Sequence, residues 1–301
     1  METFVKDRKE IKGAESKSTT LRDEILCDRR LMNELHALNV GDEEIDSYLP
    51  LLITYLDQRA AEEDPKHELK APYPGMTMKL IIDDSGKLSY LLGPDDETKR
   101  KEALENNYIF RDYPDAWADL SGKSVKGERY KKLRTALAKT FASTCVKPWV
   151  FVKGDSGSGK SYYLAAVLNG LAADGESVCF MNGAKRFDEL KTLAIKNRKQ
   201  FDTIMGQLET CGTMVIDDFG NEFKSEYIRD QILLPLLSER SRSGLRTYFT
   251  SQYNLDEIKQ LYSIHKSYIE GARVSKLIEK NIDKVVTLEP GLETVSQKRA
   301  K

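Results

Sequence analysis

Residues 154–161 combine glycines, a lysine and a serine in an order suited to binding phosphate, Gly-Asp-Ser-Gly-Ser-Gly-Lys-Ser. The glycines allow the backbone to curl so that its N–H groups face phosphate oxygens. Lys160 is expected to reach the β- and γ-phosphates, and the Ser161 hydroxyl to hold Mg²⁺. The motif therefore predicts a site for ATP with Mg²⁺. Its predicted nucleotide-binding residues are Gly154, Asp155, Ser156, Gly157, Ser158, Gly159, Lys160, Ser161 and Tyr162.

Two adjacent acids follow an apolar run at 213–216 and supply the second part of the predicted chemistry. Asp217 is expected to bind Mg²⁺, either directly or through Ser161 and water. Asp218 is placed to orient or deprotonate an attacking water. A complete strand–helix unit at 176–210 separates this run from the glycine loop, which leaves room for another strand between the two in a sheet. That arrangement is typical of ATPases that polarise water with an acid.

Two further side chains are predicted to act on the triphosphate. Gln252 follows the apolar run that ends at Thr250, and its amide is expected to touch the γ-phosphate or the attacking water. A polar turn after a strand is the alternative for Gln252. Arg273 lies in a later helix-like segment and is expected to stabilise transition-state charge across a subunit interface, as an arginine finger. The alternative for Arg273 is an ordinary solvated surface arginine.

Basic residues next to aromatic ones indicate a contact with single-stranded nucleic acid. Lys185 and Arg186 precede Phe187, and Arg198 and Lys199 precede Phe201. Cations can follow a phosphate backbone while aromatic rings stack on bases. The predicted contacts are Lys185, Arg186, Arg198, Lys199 and Phe201. A solvated helix face is the alternative.

Alternating apolar strands and helices must position these residues. From residue 148 onward, five strand candidates alternate with helices, at 150–152, 178–181, 214–216, 247–250 and 285–288. Such alternation predicts a parallel five-stranded sheet with its ligand at the carboxyl ends of the strands.

The chain before this alternation predicts a small, mainly helical α+β domain. Leu31, Leu35 and Leu38 share one helical face. A second helix is expected to be capped by Asp42 and broken or kinked at Pro50. A hairpin candidate follows at 76–92. The predicted domains are 1–104, 105–291 and a polar tail at 292–301.

Bulk properties restrict the cellular setting. With a net charge of −1, the protein as a whole has no electrostatic attraction to nucleic acid or acidic membranes. Any site that binds them must therefore be a local basic patch. The four cysteines are scattered and form no Cys-x-x-Cys pair, which favours a reducing compartment. The amino terminus lacks an apolar core, and the longest apolar stretch, at 49–56, is too short to span a bilayer. These features predict a cytoplasmic protein without a membrane partner.

Four segments together resemble the bacterial primosomal helicase loaders of the DnaI/DnaC type, which are AAA+ ATPases. They are 154–164 (Gly-Asp-Ser-Gly-Ser-Gly-Lys-Ser-Tyr-Tyr-Leu), 215–222 (Val-Ile-Asp-Asp-Phe-Gly-Asn-Glu), 247–253 (Thr-Tyr-Phe-Thr-Ser-Gln-Tyr) and 271–277 (Gly-Ala-Arg-Val-Ser-Lys-Leu). The resemblance covers about residues 107–291 well and the front part more faintly. It implies a P-loop AAA+ three-layer α/β sandwich without a helical lid domain. It also implies an amino-terminal domain that contacts the helicase.

Three departures from that family pattern change the expected chemistry. The front domain has no cysteine in the region where the DnaI family carries a zinc cluster, and His67 alone cannot make a tetrahedral site, so we predict no zinc. Gln252 stands where the family has a sensor asparagine. Leu277 replaces the second arginine of an Arg-x-x-x-Arg pattern, which leaves Arg273 as the only one. We therefore expect ATP binding with weak hydrolysis.

The resemblance implies an ATP-dependent loader that delivers the DnaB-family replicative helicase onto single-stranded DNA during initiation or restart of replication. Other primosome proteins, and further copies of this chain bound to nucleotide or DNA, are the other implied partners. Two alternatives remain open: a transposition-helper ATPase of the IstB type, and an adaptor that binds ATP with negligible turnover. A small-molecule kinase is a more distant alternative, since no arginine-rich lid segment is evident.

Overall fold

The structure is a computed structural model that describes residues 22–64, 71–122, 125, 127–264 and 268–289. The chain divides into two compact units, Met1–Lys99 and Arg100–Lys301. The predictions for His67 and for the tail at 292–301 lie outside the described residues. Within the described ranges, no helix is both long and apolar enough to cross a membrane.

The first unit packs three helices against a two-stranded hairpin. Its elements are α1 (22–27), α2 (Arg29–Ala37), α3 (Ile45–Glu63), β1 (Met76–Ile82) and β2 (Leu88–Pro94). Asp28 caps α2, because its Oδ1 accepts the backbone N–H groups of Arg30 and Leu31, both at 3.0 Å. The strands pair antiparallel, with Met78 opposite Leu92. Apolar side chains from α2, α3 and both strands, such as Leu35, fill one core.

Helix α3 differs from its prediction in two ways. Its amino-terminal cap is Glu44, which makes no side-chain capping bond, so the cap predicted at Asp42 is wrong. The helix also continues without a break through Pro50, which lies near its start. A proline there removes one backbone donor, and the hydroxyl of Thr54 donates to the Pro50 carbonyl at 2.9 Å.

The second unit is built on one sheet of six strands in the order β3-β5-β6-β7-β4-β8, with every neighbouring pair parallel. Helix α4 (Asp96–Asn107) leads into it. The strands are β3 (Tyr108–Arg111), β4 (Trp149–Lys153), β5 (Val178–Asn182), β6 (Thr213–Asp217), β7 (Arg246–Ser251) and β8 (Ile282–Thr287). The helices are α5 (Lys131–Thr140), α6 (Lys160–Ala173), α7 (Gly183–Lys196), α8 (Arg198–Thr210), α9 (Leu234–Arg242), α10 (Leu255–Leu261) and α11 (Tyr268–Asn281), and a π-helical turn, Ile228–Leu233, precedes α9.

Apolar side chains of the strands alternate between two cores, one on each face of the sheet. Phe151 and Ile216 point to the core formed with α7 to α11, whereas Val152 and Val215 point to the core formed with α5 and α6. This is the predicted three-layer α/β sandwich. The described part of the chain ends two residues after β8, and no helical lid follows β8 within it.

The sheet confirms the predicted strands and adds one. β7 lies between β4 and β6, so another strand does separate the glycine loop from the acid pair. The prediction of five strands is wrong by one, because β3 pairs with β5 at the sheet edge. β3 has only four half-buried residues, which gives no clear apolar alternation in the sequence.

Candidate nucleotide-binding site

The glycine loop leaves the carboxyl end of β4 and is held from both sides by neighbouring strands. The Gly154 N–H donates to the Ser251 carbonyl at 3.0 Å, and the Leu288 N–H donates to the Lys153 carbonyl at 2.8 Å. A Cβ atom at Gly154 would overlap the Leu288 carbonyl oxygen. Only glycine therefore fits where the loop begins, because the backbone of the last strand passes directly against it.

The end of the loop needs glycine for two reasons. Gly157 and Gly159 have φ angles of +79° and +87°, a region that favours glycine. In addition, a Cβ at Gly159 would overlap the hydroxyl of Tyr130 and lie 3.3 Å from Nη2 of Arg129. The segment that leads into α5 thus packs on the loop, a contact that the sequence did not reveal.

Two aromatic rings support this contact. Tyr130 is 1% exposed and stacks on Tyr163 of α6, with ring centroids 4.7 Å apart. The Arg129 guanidinium lies 4.6 Å from the Tyr130 ring centroid, and its Nη2 donates to the Tyr130 hydroxyl at 2.7 Å. Burial raises the pKa of Tyr130, and the adjacent Arg129 opposes that shift. These contacts hold the buried Tyr130 side chain in a fixed position beside Gly159.

The glycine loop ends at Lys160, and the Lys160 side chain folds back into the loop. Its side chain is buried, and Nζ donates to the carbonyls of Gly154 at 2.7 Å and Asp155 at 2.9 Å. Burial lowers the pKa of Lys160, while the charges of Asp218 and Asp217 oppose that shift. The loop therefore encloses a cation with both acids close enough to influence it.

Asp217 is the centre of the polar cluster at the end of β6. Its Oδ1 accepts the hydroxyls of Ser161 and Thr250, each at 2.6 Å. Burial raises the pKa of Asp217, and these two hydrogen bonds oppose the shift. A carboxylate beside a hydroxyl, with a second carboxylate next in the chain, is an oxygen donor set that suits Mg²⁺. The residues at this position therefore fit the predicted metal.

Asp218 occupies a strained backbone position next to this cluster. Its φ is +54°, which is uncommon for a residue other than glycine. The Asp218 N–H donates to Oγ1 of Thr250 at 3.0 Å, and the Phe219 N–H donates to the Thr250 carbonyl at 2.8 Å. β7 thus holds the turn that presents the half-buried Asp218 side chain. Strain of this kind, fixed by its surroundings, is typical of functional sites.

Thr250 is the site residue that sequence reasoning passed over in favour of Gln252. Thr250 is fully buried and contacts both acids, whereas Gln252 is exposed just beyond the end of β7. The register of β6 and β7 places Thr250 beside Asp217. Ile216 pairs with Phe249, so the next residue of each strand brings Asp217 beside Thr250.

Arg273 lies on the exposed side of α11, where Nη1 donates to Oε2 of Glu270 at 2.8 Å. Leu277, one turn later on the same helix, packs against the apolar core. The structure thus leaves the Arg273 guanidinium on the surface, and it does not place Arg273 within the cluster around Asp217.

The residues predicted to contact nucleic acid differ in their surroundings. Some side chains are buried, some are paired with an acid, and some are exposed. Phe201 is 5% exposed and packs in the core, so its ring does not offer a stacking face. Arg186 donates two hydrogen bonds to the buried Asp112, at 2.5 and 2.6 Å, and Lys185 lies 3.3 Å from the same carboxylate. Arg198 and Lys199 are exposed on α8, although Arg198 pairs with Asp202 at 2.8 Å.

The remaining loop residues are placed around the entrance. Asp155, Ser156 and Gly157 are exposed, and Ser158 is buried. Tyr162 is half-buried, with its ring 5.4 Å from that of Trp117 in an edge-to-face arrangement.

A buried carboxylate ties the segment after the acid pair to α10. Oε2 of Glu222 accepts the Gly220 N–H at 2.8 Å, and Oε1 accepts the hydroxyl of Tyr262. Tyr262 also stacks on Phe219, with ring centroids 5.6 Å apart. Burial raises the pKa of Tyr262 well above its usual range. The turn that carries Asp218 is therefore anchored at a second point, and sequence reasoning did not single out Glu222 or Tyr262 for this contact.

Among the described residues, no group of three or more histidine, cysteine or acidic side chains is placed to share a metal ion. Cys27 and Cys145 lie at or near the surface, and Cys179 and Cys211 are buried in the core. The donor set for Mg²⁺ described above is of a different kind, because it combines a hydroxyl with carboxylates.

Comparison with known proteins confirms the resemblance to helicase loaders. No protein-family model matches the chain. The chain is 25% identical over 260 residues to the replicative helicase loader DnaI of Bacillus subtilis, and this alignment covers 80% of each protein. A crystal structure of DnaI superposes with a TM-score of 0.51 and 22% identity, covering 61% of this chain and 97% of that one. The fold is thus the predicted three-layer α/β sandwich, shared with that structure.

Proposed function

We propose that this chain is an ATP-dependent loader that delivers a DnaB-family replicative helicase onto single-stranded DNA during initiation or restart of replication, in the cytoplasm. One observation carries the proposal: a glycine loop, a buried lysine and a hydroxyl–carboxylate pair meet in a chain that is similar over 80% of its length to a replicative helicase loader. Other primosome proteins are further proposed partners.

ATP with Mg²⁺ is the proposed ligand of the site. The loop N–H groups and Lys160 would hold the phosphates, and Ser161 and Asp217 would hold Mg²⁺, which neutralises charge on the phosphates. Asp218 would accept a proton from the attacking water as a general base. The hydrogen bond from its backbone N–H to Thr250 would hold it in position for that role. Gln252 and Arg273 are both exposed. Any contact that they make with the triphosphate would therefore come from the protein surface.

Slow turnover is part of the proposal. Leu277 supplies no charge, and lysines nearby on α11 do not reproduce the bidentate geometry of a guanidinium. We propose that the presence of ATP or ADP, more than repeated hydrolysis, changes the affinity for helicase or DNA. An adaptor that binds ATP with negligible turnover is the second candidate, and Leu277 is the residue that favours it.

We propose that the two parts of the chain have different functions. Residues 1–104 would bind the helicase, and 105–291 would bind ATP and DNA and form any nucleotide-dependent oligomer. Support for two functional parts comes from the division of the chain into compact units after Lys99. A pull-down with the first part and with the full chain would show which retains the helicase.

Native mass spectrometry is the decisive experiment. The full-length chain is mixed with the replicative helicase of its own host, in ATP and in ADP, with Lys160→Ala as the matched nucleotide-binding variant. We expect a defined complex whose stoichiometry or stability differs between the two nucleotides, and that difference should be lost in Lys160→Ala.

The absence of any complex in both nucleotides would reject the loader function. In that case, ATP-dependent filaments on duplex DNA would identify a transposition helper. Steady-state hydrolysis, with and without helicase and single-stranded DNA, separates a slow ATPase from the adaptor: stimulation by either partner supports the ATPase.

A further inference from the structure

A groove lined by lysines lies on the second unit, at the amino ends of β4 and β8, opposite the strand ends that carry the glycine loop. We call it the lysine groove. Its cationic residues are Lys131, Lys132, Lys139, Lys147 and Lys284, and Asp283 is the one acid among the residues that line it. The buried Trp149 and Val150 also line it, and the cavity measures about 260 Å³.

Charge is concentrated in this groove although the chain as a whole is close to neutral, with a net charge of −1. Lys139 Nζ lies 3.1 Å from Asp283 Oδ2, and Lys131 pairs with the exposed Glu128 at 3.5 Å. The hydrogen bond from Lys139, together with the charges of Lys139, Lys147 and Lys284, holds the pKa of Asp283 below its ordinary value. Several ammonium groups therefore act on one carboxylate, and the balance remains strongly positive.

The patch predicted on α7 and α8 does not show this excess. There, Asp112 binds Arg186 and lies 3.3 Å from Lys185, and Asp202 pairs with Arg198. The burial of Phe201 also removes its ring from the surface. An anionic ligand would therefore gain more from the lysine groove than from the α7–α8 patch.

The spacing of the lysines favours a chain of phosphates over a single one. Lys131 and Lys139 lie eight residues apart on α5, which corresponds to about 12 Å along the helix axis. Lys284 also lines the groove, and Lys147 extends the row beyond the end of α5 into an adjoining cavity that Lys139 also lines. Lysine ammonium groups bind phosphate as point charges and do not read bases, so such a row suits a backbone of any sequence.

We propose that the lysine groove binds the phosphodiester backbone of single-stranded DNA, through the shared chemistry of repeated phosphate groups. This inference rests on the proposed function, which supplies single-stranded DNA as the substrate. The groove is separated from the Mg²⁺ site by the length of β4, five residues or about 16 Å. DNA binding there can therefore change while nucleotide binding stays intact.

The test compares three full-length variants by fluorescence anisotropy with a labelled oligo(dT) strand, from 50 to 200 mM salt, in ATP and Mg²⁺. The first carries Lys132→Gln, Lys147→Gln and Lys284→Gln, which spare the Lys139–Asp283 pair. The second carries Lys→Arg at the same positions. The matched control carries Lys259→Gln, Lys276→Gln and Lys280→Gln, three exposed lysines outside the groove.

We expect the first variant to lose at least tenfold in DNA affinity at 100 mM salt. The slope of log affinity against log salt should fall by about 2, since each phosphate contact on a single strand contributes about 0.7. The arginine variant and the control should retain wild-type binding. Binding of a fluorescent ATP analogue and the thermal unfolding midpoint should be unchanged in all three, which excludes misfolding.

Four outcomes would overturn the proposal. Unchanged DNA affinity and slope in the first variant would exclude the groove as a DNA contact while leaving the loader function intact. Loss of helicase retention with normal DNA binding would assign the groove to a protein partner. Displacement of DNA by inorganic tripolyphosphate at equal phosphate concentration would identify free polyphosphate as the ligand. A wild-type chain that retains helicase but binds no single-stranded DNA would reject the DNA contact alone.

Discussion

The hydroxyl of Thr250 donates to Oδ1 of Asp217 at 2.6 Å, and the same hydroxyl oxygen accepts the backbone N–H of Asp218 at 3.0 Å. One side chain from β7 thus fixes both acids at the end of β6. The strand between the glycine loop and the acid pair therefore helps to position both acids and is not only a spacer.

Thr250→Val keeps the shape of the side chain and removes both hydrogen bonds. We expect the free energy of unfolding to fall by about 1 to 3 kcal/mol, because a buried carboxylate and a backbone N–H lose a partner. ATP turnover should fall at least tenfold, since Asp218 is no longer held. Urea unfolding and a steady-state assay measure the two effects. Thr192→Val, at an exposed helical position, is the control and should change neither.

Asp218→Asn tests the proposed role in activating water. We expect hydrolysis to fall about 100-fold or more, the usual range for loss of a general base, with ATP affinity within about twofold of wild type. Titration with a fluorescent ATP analogue and single-turnover hydrolysis make the comparison. Equal loss of affinity and rate would instead show that Asp218 contributes to nucleotide binding.

Gly159→Ala and Gly157→Ala separate backbone strain from steric overlap. Both glycines have positive φ, so each substitution should cost about 1 kcal/mol in folding free energy. No heavy atom lies within 4 Å of a Cβ at Gly157, whereas a Cβ at Gly159 meets Tyr130. We therefore expect Gly159→Ala to be clearly more destabilising and to weaken ATP binding at least tenfold.

The pair Gly159→Ala and Tyr130→Phe completes this test as a double-mutant cycle. Removing the Tyr130 hydroxyl should restore part of the stability lost in Gly159→Ala. Additive effects of the two substitutions, measured by thermal or urea unfolding, would contradict a direct contact.

Asp112→Asn should destabilise the second unit in a pH-dependent way. Burial alone would raise the pKa of Asp112, but hydrogen bonds from Arg186 and from the Asn182 N–H outweigh it and hold the pKa below its ordinary value of 3.8. A lowered folded-state pKa stabilises the protein above the unfolded-state value, and this contribution is lost as the pH falls through the folded-state pKa. We expect a cost of about 2 to 3 kcal/mol at pH 7.

The difference between wild type and Asp112→Asn should then shrink steadily as the pH is lowered below 4, in urea unfolding at each pH. Asp202→Asn, at an exposed ion pair, is the control and should cost less than about 1 kcal/mol at any pH. A pH-independent difference for Asp112→Asn would show that packing and not ionisation carries its effect.

Tyr262→Phe removes the hydroxyl that donates to the buried Glu222. We expect a loss of about 1 to 3 kcal/mol in unfolding free energy, because the carboxylate keeps only the Gly220 N–H. Tyr268→Phe, where the tyrosine is 66% exposed, should cost less than about 0.5 kcal/mol. Similar stabilities for the two variants, measured by urea unfolding, would show that Glu222 does not depend on Tyr262.

Strands encoded in short stretches of sequence were predicted well. The predicted strands at 150–152 and 214–216 lie within β4 and β6, because a short apolar run is visible locally. The roles of the glycine loop, its lysine and the acid pair stay predictions. Contacts between distant parts of the chain were not predicted. Arg186 is neutralised by Asp112, 74 residues earlier. No sequence pattern indicated that Tyr130 packs on the glycine loop.

Phe201 shows why a local pattern misleads. An aromatic residue after two cations reads as a stacking site, yet the same ring has the spacing of an apolar helix face. Burying this ring is more favourable than exposing it, and the core formed with α7 to α11 includes Phe201 together with Met205 and Leu208 of the same helix. The sequence therefore identified the cations of α8 but not the direction in which its aromatic residue points.

The position of Leu288 against Gly154 has a consequence for biosynthesis. β4 pairs with β8, and the glycine loop is closed by backbone that lies 134 residues later in the chain. During translation, the loop sequence leaves the ribosome long before the strand that completes its setting. Binding of ATP to the nascent chain should begin only after residue 288 has emerged, so the nucleotide site forms only once β8 has been synthesised.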